Sequence, residues 1–189
     1  MKHIGTKEIQ TKRLILRKVK AEDAESAYEN WCNSYEVSKY VMWNKHSDIE
    51  ETKKLCKMWE EEYNFSDTYR WIVELKETGE LIGTIDVASK KLLIYGTCVI
   101  GYCYGERFWG KGYATEALKA VIKYLFEGCD ADTIYAEYLS NNPASGKVMQ
   151  KAGMNFEGIL KSRIIDKDGI RNDLGSYSIT KEEYFSKRN

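Results

Sequence analysis

Several residue types that mark particular protein classes are scarce in this chain of 189 residues. Pro143 is its one proline, and His3 and His46 are its only histidines. The five cysteines, an odd number, form no C-x-x-C pair. This composition argues against a disulfide framework and against a zinc site of the usual Cys/His type. We therefore expect no metal ion, and reduced thiols.

An excess of one charge and long apolar runs are also missing. The chain has 29 Lys and Arg residues and 29 Asp and Glu residues, which argues against nucleic-acid binding as its main activity. No apolar run approaches the ~20 residues that span a bilayer. Residues 1–10 lack the apolar segment of a signal peptide. We expect a cytoplasmic protein without a nucleic-acid or membrane partner.

No linker, repeat or low-complexity segment divides the sequence, and 43% of its residues are hydrophobic. That is enough for one sizeable core, so we predict a single domain over residues 1–189. Alternation and turn signals predict strands at residues 12–19, 70–75, 81–87, 92–95, 97–104, 133–139, 155–165 and 170–179. Apolar periodicity and capping signals predict helices at residues 22–33, 47–63, 113–126 and 144–152, and one beginning at residue 180. This order is typical of a layered α/β fold.

The most informative stretch, residues 97–126, holds a β-rich run, a turn with glycines and an amphipathic helix. Gly110 and Gly112 stand just before the helix, where a missing side chain lets the backbone approach a ligand. The first N–H groups of a helix have no internal partners, and they favour an anion. The stretch therefore predicts a site for a phosphate group.

Known phosphate loops differ in how well they match this turn. A P-loop would need Ser or Thr after Lys111 to bind Mg²⁺, and Gly112 stands there. A dinucleotide fingerprint would need a third glycine where Thr115 stands. The pattern Arg/Gln-x-x-Gly-x-Gly/Ala is met by Arg107, Gly110 and Gly112. A glycine turn that serves only helix packing is the structural alternative.

With this third pattern, the run IGY…WGKGYATEAL over residues 100–118 resembles the GNAT superfamily of acetyl-CoA-dependent N-acetyltransferases. It is most similar to the branch that contains the ribosomal-protein alanine N-acetyltransferases, and the resemblance covers about residues 11–185. It implies a single GNAT-type domain of α/β (α+β) class. The central sheet would be mixed and mostly antiparallel, with about seven strands and with helices on both faces.

The resemblance also implies how acetyl-CoA, the co-substrate, is bound. The pantetheine chain would pair with the exposed backbone edge of one strand, and the pyrophosphate would meet the backbone N–H groups of the glycine turn. The cofactor-binding residues carried over by position are Tyr102, Cys103, Tyr104, Arg107, Phe108, Trp109, Gly110, Lys111, Gly112, Tyr113, Ala114, Asn142 and Ser145.

One catalytic residue follows from the same resemblance. Asn142 matches the residue that hydrogen-bonds the pantetheine arm, and Ser145 matches the position proposed as proton donor to the departing thiolate. Because a hydroxyl is a poor acid beside a thiol of pKa ~8.5, we expect Ser145 to position a proton relay. The alternative is that both side chains cap the helix.

The general base stays unassigned. Where this branch often has Glu, the sequence has Val99, and Asp86 and Glu106 remain as candidates. The acceptor side is expected to hold aromatic residues from the first two helices and beyond, unless these belong to the core. Those candidates are Trp31, Tyr35, Tyr40, Trp43, Tyr69 and Trp71.

We thus expect an acetyl-CoA-dependent N-acetyltransferase, monomeric or homodimeric, that transfers its acetyl group directly to a primary amine in a ternary complex. The N-terminal α-amine of a protein or peptide is the preferred acceptor. A small-molecule acceptor, such as a polyamine or aminoglycoside, and a non-catalytic acyl-CoA-binding module are the alternatives.

Overall fold

The computed structural model describes residues 1–186. Eight strands form one sheet in the order β1-β2-β3-β4-β5-β6-β8-β7. They are β1 Ile9–Gln10, β2 Leu14–Arg17, β3 Arg70–Leu75, β4 Leu81–Val87, β5 Thr97–Tyr104, β6 Thr133–Leu139, β7 Asn155–Ile165 and β8 Arg171–Thr180. Strands β5 and β6 run parallel, and the other neighbours run antiparallel. The predicted fold class is confirmed, with β1 as an additional short edge strand.

In the described part of the chain, six α-helices accompany the sheet: α1 Ala24–Ala27, α2 Tyr35–Ser38, α3 Ile49–Glu62, α4 Tyr113–Lys123, α5 Pro143–Lys151 and α6 Lys181–Ser186. A 3₁₀ turn precedes α1, and a π-helical turn, Tyr28–Cys32, follows it. The single helix predicted at residues 22–33 is therefore three short segments. Within residues 1–186, every helix is too short or too polar to traverse a bilayer.

Two apolar clusters lie on opposite faces of the sheet. The larger one packs α4 against the central strands, and Leu118 and Ile122 are buried in it. The smaller one joins Trp31, Cys56 and Ile72 beneath α1 and α3. A fully buried side chain of the size of Leu or Ile contributes roughly 1.5–3 kcal/mol, so the long apolar stripe of α4 stabilises the centre of the fold.

One predicted strand is wrong. Residues 92–95 lie in a 3₁₀ helix, Lys90–Tyr95, that connects β4 to β5. Leu93 is buried, whereas Ile94 and Tyr95 are 76% and 70% exposed. A short apolar run has no periodicity that distinguishes a strand from a connecting turn, and here the chain uses the run to reverse direction.

The predicted ends of two helices are close to those observed. The helix predicted to begin at Ser47 begins at Ile49. Asp48 caps it, since its side chain accepts a hydrogen bond from the Glu50 N–H, while Ser47 bonds Glu51. Helix α5, predicted at residues 144–152, spans Pro143–Lys151, with Pro143 in its first turn.

The sheet splits at its centre. Strands β5 and β6 pair from Thr97 with Thr133 as far as Val99 with Tyr135. Beyond that point β5 stays paired with β4, and β6 stays paired with β8. The unpaired parts of β5 and β6 leave a V-shaped gap in the middle of the sheet. We call this gap the wedge.

Candidate active site

The wedge opens into a cavity of about 1050 Å³. Strand β5, the glycine turn and the start of α5 line one side of it, and residues of the segment from the π-helical turn to α3 line the other. All predicted cofactor-binding residues line this cavity except Arg107 and Lys111. Those present are Tyr102, Cys103, Tyr104, Phe108, Trp109, Gly110, Gly112, Tyr113, Ala114, Asn142 and Ser145.

The two exceptions make contacts outside the cavity. The Arg107 guanidinium donates to Asn30 Oδ1 at 2.6 Å and pairs with Glu80. The Lys111 ammonium lies 5.7 Å from the centre of the Phe108 ring. Their side chains are thus placed to hold the turn, and a role of their backbone N–H groups in binding stays a prediction.

The glycine turn presents a bare stretch of backbone. Gly110 and Gly112 have φ values of +73° and +81°, in the left-handed region that favours glycine. Nothing lies within 4 Å of the place where a Cβ of Gly110 would be. Helix α4 begins at Tyr113, and its first intrahelical bond runs from the Glu116 N–H to the Gly112 carbonyl. The three preceding N–H groups lack intrahelical partners and suit an anion.

Arg13, which was not predicted from the sequence, contacts this turn from the position just before β2. Its guanidinium pairs with Glu116 at 2.7 Å and donates to the Lys111 carbonyl at 3.0 Å. It also lies 4.5 Å from the centre of the Tyr113 ring. No sequence signal marks this contact, because it joins residues about a hundred positions apart.

The start of α5 brings Asn142 and Ser145 to the wedge. Asn142 caps the helix, with its Oδ1 accepting the Ser145 N–H at 3.4 Å, so the capping interpretation holds for Asn142. The Ser145 hydroxyl instead lies 2.9 Å from the Tyr102 hydroxyl, which also donates to the Ser145 carbonyl at 3.0 Å. Burial raises the pKa of Tyr102, so this phenol stays protonated.

A second tyrosine of β5 has an unmet hydrogen-bonding group. The Tyr104 hydroxyl is buried and has no partner within residues 1–186. An unsatisfied buried polar group costs roughly 1–3 kcal/mol. Tyr104 also lines the cavity, although its hydroxyl oxygen is itself enclosed by protein.

Cys103 lies at the wedge but is not an activated thiol. Its sulfur lies 3.4 Å from the Thr84 hydroxyl, and burial raises the thiol pKa to about 11. Only the thiolate is a good nucleophile, so the environment of Cys103 opposes an acyl-cysteine.

The aromatic candidates for the acceptor side divide into two groups. Trp31, Tyr40 and Trp43 line the cavity. Tyr69 and Trp71 are buried in the larger core on the other face, where the core interpretation is right, and Tyr35 is 62% exposed. The structure adds His46 and Trp59 to the lining, which the sequence analysis did not predict.

The candidate bases also separate. Glu106 is exposed and does not line the cavity, whereas Asp86 lines it. The Asp86 carboxylate accepts a hydrogen bond from Arg70 Nε at 3.1 Å. Burial raises its pKa, and the Arg70 charge partly offsets this.

Comparison with known proteins agrees with this geometry. Residues 13–155 match the family model of the acetyltransferase (GNAT) domain. Over 181 residues the chain is 31% identical to the uncharacterized N-acetyltransferase p20 of Bacillus licheniformis, covering 93% of this chain and 97% of that protein.

Two further matches have more specific descriptions. The [ribosomal protein uS5]-alanine N-acetyltransferase of Escherichia coli is 30% identical over 86 residues, 46% of this chain and 44% of that one. The crystal structure of a GNAT-family acetyltransferase from Bacillus anthracis superposes with a TM-score of 0.81 at 28% identity, covering 94% of this chain and 100% of that one. With the split sheet and the glycine turn before α4, these matches make the chain an N-acetyltransferase of the GNAT family.

Proposed function

We propose that this chain transfers the acetyl group of acetyl-CoA directly to a primary amine, preferably the N-terminal α-amine of a protein or peptide. The observation that carries the proposal is the wedge. It opens into one cavity that holds the glycine turn, the unpaired edge of β5 and the Ser145–Tyr102 hydroxyl pair. These are the parts needed to hold a phosphate, an extended amide chain and a leaving thiolate.

The donor side would be bound mainly by backbone groups. The free N–H groups at the start of α4, with Gly110 and Gly112 before them, would hold the pyrophosphate. The β5 edge from Tyr102 to Tyr104 would pair with the amides of pantetheine as an added strand does. Asn142 at the cap of α5 faces the same cavity and would bond the pantetheine arm. Acetyl-CoA supplies the thioester whose acetyl group is transferred.

The proton for the leaving sulfur would come through Ser145. Its hydroxyl touches the Tyr102 phenol, which burial keeps protonated. This pair can hold a proton next to the wedge and pass it on with little movement. Because burial keeps the Cys103 thiol protonated and only a thiolate is a good nucleophile, a ternary complex is favoured over an acetylated enzyme.

The preference for an α-amine follows from charge and pKa. Asp86 and Glu137 are the only carboxylates that line the cavity within residues 1–186, whereas a polyamine or aminoglycoside carries several cations. A lysine amine has a pKa near ~10.4 and an α-amine near ~7.7–8.0, so far more of the α-amine is neutral near neutral pH. The match to a ribosomal-protein alanine N-acetyltransferase supports a protein acceptor as well.

Free-thiol release from acetyl-CoA, measured with a panel of amines, tests the proposed reaction. We expect release with peptides that have a free N-terminus, and little release with spermidine or an aminoglycoside. Release that depends on a polyamine but on no peptide would contradict the proposed acceptor. Absence of release with every amine would contradict the proposed activity.

Two peptides of one sequence separate the two kinds of amine. One has a blocked N-terminus and a single lysine, and the other has a free N-terminus and no lysine. At about pH 7.5 roughly a quarter to two fifths of α-amines are neutral, against about one lysine amine in a thousand. We expect faster acetylation of the free N-terminus, and faster acetylation of the lysine would overturn the preference.

Intact mass after incubation with acetyl-CoA alone tests direct transfer. We expect no added acetyl group. A stable adduct that disappears in Cys103→Ala would instead show a covalent acetyl-cysteine.

A further inference from the structure

Asp86 lies beside the point where the wedge opens. It pairs with Gly101 across β4 and β5, so both residues are on the same face of the sheet. A Cβ at Gly101 would be 3.1 Å from Asp86 Oδ1, so the carboxylate reaches over a position that has no side chain. Gly101 stands two residues beyond Val99, the last residue of β5 that pairs with β6. The Asp86 carboxylate therefore reaches over β5, next to the place where β5 and β6 separate.

Asp86 also places a carboxylate near residue 99, although that residue is valine. Val99 and Gly101 alternate with Ile100 and so point to one side of β5. The Val99 carbonyl accepts a hydrogen bond from the Ala88 N–H, two residues after Asp86. Asp86 is thus the diagonal neighbour of Val99 on the adjacent strand, and it supplies a carboxylate to the region where a glutamate at 99 would have stood.

The carboxylate is held in place on one side only. Arg70 Nε donates to Asp86 Oδ2 at 3.1 Å, and Arg70 Nη1 donates to Glu62 at 2.5 Å. The guanidinium also lies 4.5 Å from the centre of the Trp59 ring. Asp86 Oδ1 has no hydrogen bond to a group within residues 1–186, and its side chain is 23% exposed. One oxygen is fixed, and the other is open towards the cavity.

The surroundings favour a carboxylate that can take up a proton. Burial raises the pKa of Asp86 and Glu62 raises it further, while Arg70 lowers it. The other titratable groups that interact with it, Tyr63 after α3 and Cys103 on β5, have pKa values raised to about 12 and about 11 and remain neutral. A base whose pKa is nearer the working pH transfers protons more effectively than an ordinary aspartate.

We propose that Asp86 is the catalytic base for the acceptor amine in the acetyl transfer proposed above. The amine nitrogen forms the new bond to the acetyl carbon, and the bond from that carbon to sulfur breaks with its electron pair left on sulfur. One proton of the nitrogen passes to Asp86 Oδ1, and the sulfur takes a proton from the Ser145 side. The products are an N-acetyl amine and the free thiol. Asp86 then releases its proton to solvent, and the Ser145–Tyr102 pair regains from solvent the proton that it gave to sulfur.

A comparison of Asp86→Asn with the native protein tests this role, using the best amine found in the thiol-release panel. The asparagine carbonyl can still accept from Arg70, so the fold is expected to be kept. We expect kcat to fall by about 100- to 1000-fold, in the range of general base contributions, with unchanged affinity for coenzyme A. In the native protein kcat should rise with pH as the Asp86 carboxyl loses its proton, and in Asp86→Asn this rise should be absent.

The matched control is Glu106→Gln, which removes an exposed carboxylate outside the cavity. It should keep both the rate and the pH profile. Asp86→Glu keeps a carboxylate one carbon further from the backbone. It should retain part of the native kcat, and the fall of kcat at low pH (the acid limb of the pH profile) should occur at a different pH. If Asp86→Asn fails to fold, Asp86→Glu carries the test, and a rate and profile identical to the native protein would overturn the role.

The outcomes separate this inference from the proposed function. Thiol release by the native protein with an unchanged pH profile in folded Asp86→Asn would overturn the role of Asp86 alone. No release by the native protein with any amine would refute the activity, and the base would fall with it. A lower kcat with the acid limb intact would assign Asp86 a merely structural role and would also overturn the proposal.

Discussion

The two walls of the cavity are built in opposite ways. The donor wall, residues 102–114, is one continuous strand–turn–helix segment, and it offers mostly backbone groups. The acceptor wall gathers Trp31, Tyr40, Trp43, Trp59 and Asp86 from separate segments, and it offers side chains. Backbone groups persist through most substitutions, whereas side-chain surfaces change with each one. A fold with this division can keep one donor and vary its acceptor.

The walls also rest on different cores. The donor wall continues into α4, whose apolar stripe lies in the larger cluster. The acceptor wall rests on the smaller cluster, on helices α1 and α2 of four residues each, and on α3, which has 14 residues and carries Trp59. Short helices with little buried surface open more readily than long packed ones. We therefore expect the acceptor wall to adapt to its ligand while the donor wall stays rigid.

The largest effect should come from placing a side chain in the glycine turn of the donor wall. In Gly112→Glu a side chain is forced into a left-handed conformation, and a negative charge is placed at the phosphate site. We expect affinity for coenzyme A, measured by calorimetry, to fall by at least about 100-fold. Gly79→Glu is the matched control, since Gly79 has φ +72° in the β3–β4 turn and open space around it. Undiminished affinity in folded Gly112→Glu would contradict the phosphate site.

Ser145→Ala should lower kcat by about 100-fold, the lower end for general acid catalysis, with little change in the affinity for coenzyme A. The melting temperature should also change little, because Asn142 provides the side-chain cap of α5 and the Ser145 carbonyl still accepts from Tyr102. Ser140→Ala, an exposed serine outside the cavity, is the control. An unchanged kcat would rule out a proton relay through Ser145.

The difference between the walls also decides what the sequence could predict. The donor wall is local, so the glycine spacing, the β run of residues 97–104 and the apolar period of α4 could all be read within thirty residues. The wedge could not be predicted from these patterns. It arises because β6 leaves β5 after Val99 while it stays paired with β8 along its whole length. The resemblance to a family predicted its consequence, an exposed backbone edge on one strand.

The acceptor wall required tertiary contacts that no local pattern contains. Trp71 on β3 and Tyr69 just before it are aromatic like Trp43, yet both lie in the larger core on the opposite face. Asp86 was one of two equal candidates until its register with Gly101 placed it at the wedge. Composition marks a residue as aromatic or acidic, and pairing between distant strands decides what it faces.

A smaller effect is expected on the acceptor wall. Trp43 lies near His46, with ring centres 5.8 Å apart, and both line the cavity. In Trp43→Ala we expect the KM for a peptide acceptor to rise about tenfold, the effect of losing roughly 1.4 kcal/mol of aromatic contact. The affinity for coenzyme A should stay the same. Tyr35→Ala removes an exposed aromatic ring outside the cavity and should leave both values unchanged. A change in coenzyme A affinity alone would show that the two walls are not separate.

The smallest effect should come from Arg13, which supports the donor wall from outside the cavity. The guanidinium is 42% exposed, and exposed ion pairs contribute at most about 1 kcal/mol. Arg13→Gln should therefore weaken coenzyme A binding by about fivefold, and Lys12→Gln beside it should have no effect.

Arg13→Lys distinguishes positioning from simple charge attraction, because lysine keeps the charge but cannot join Glu116 and the Lys111 carbonyl in one planar fork. If Arg13 positions the turn, both variants weaken binding alike. If Arg13→Lys binds as tightly as the native protein, the charge alone matters, and the donor wall depends on a side chain after all.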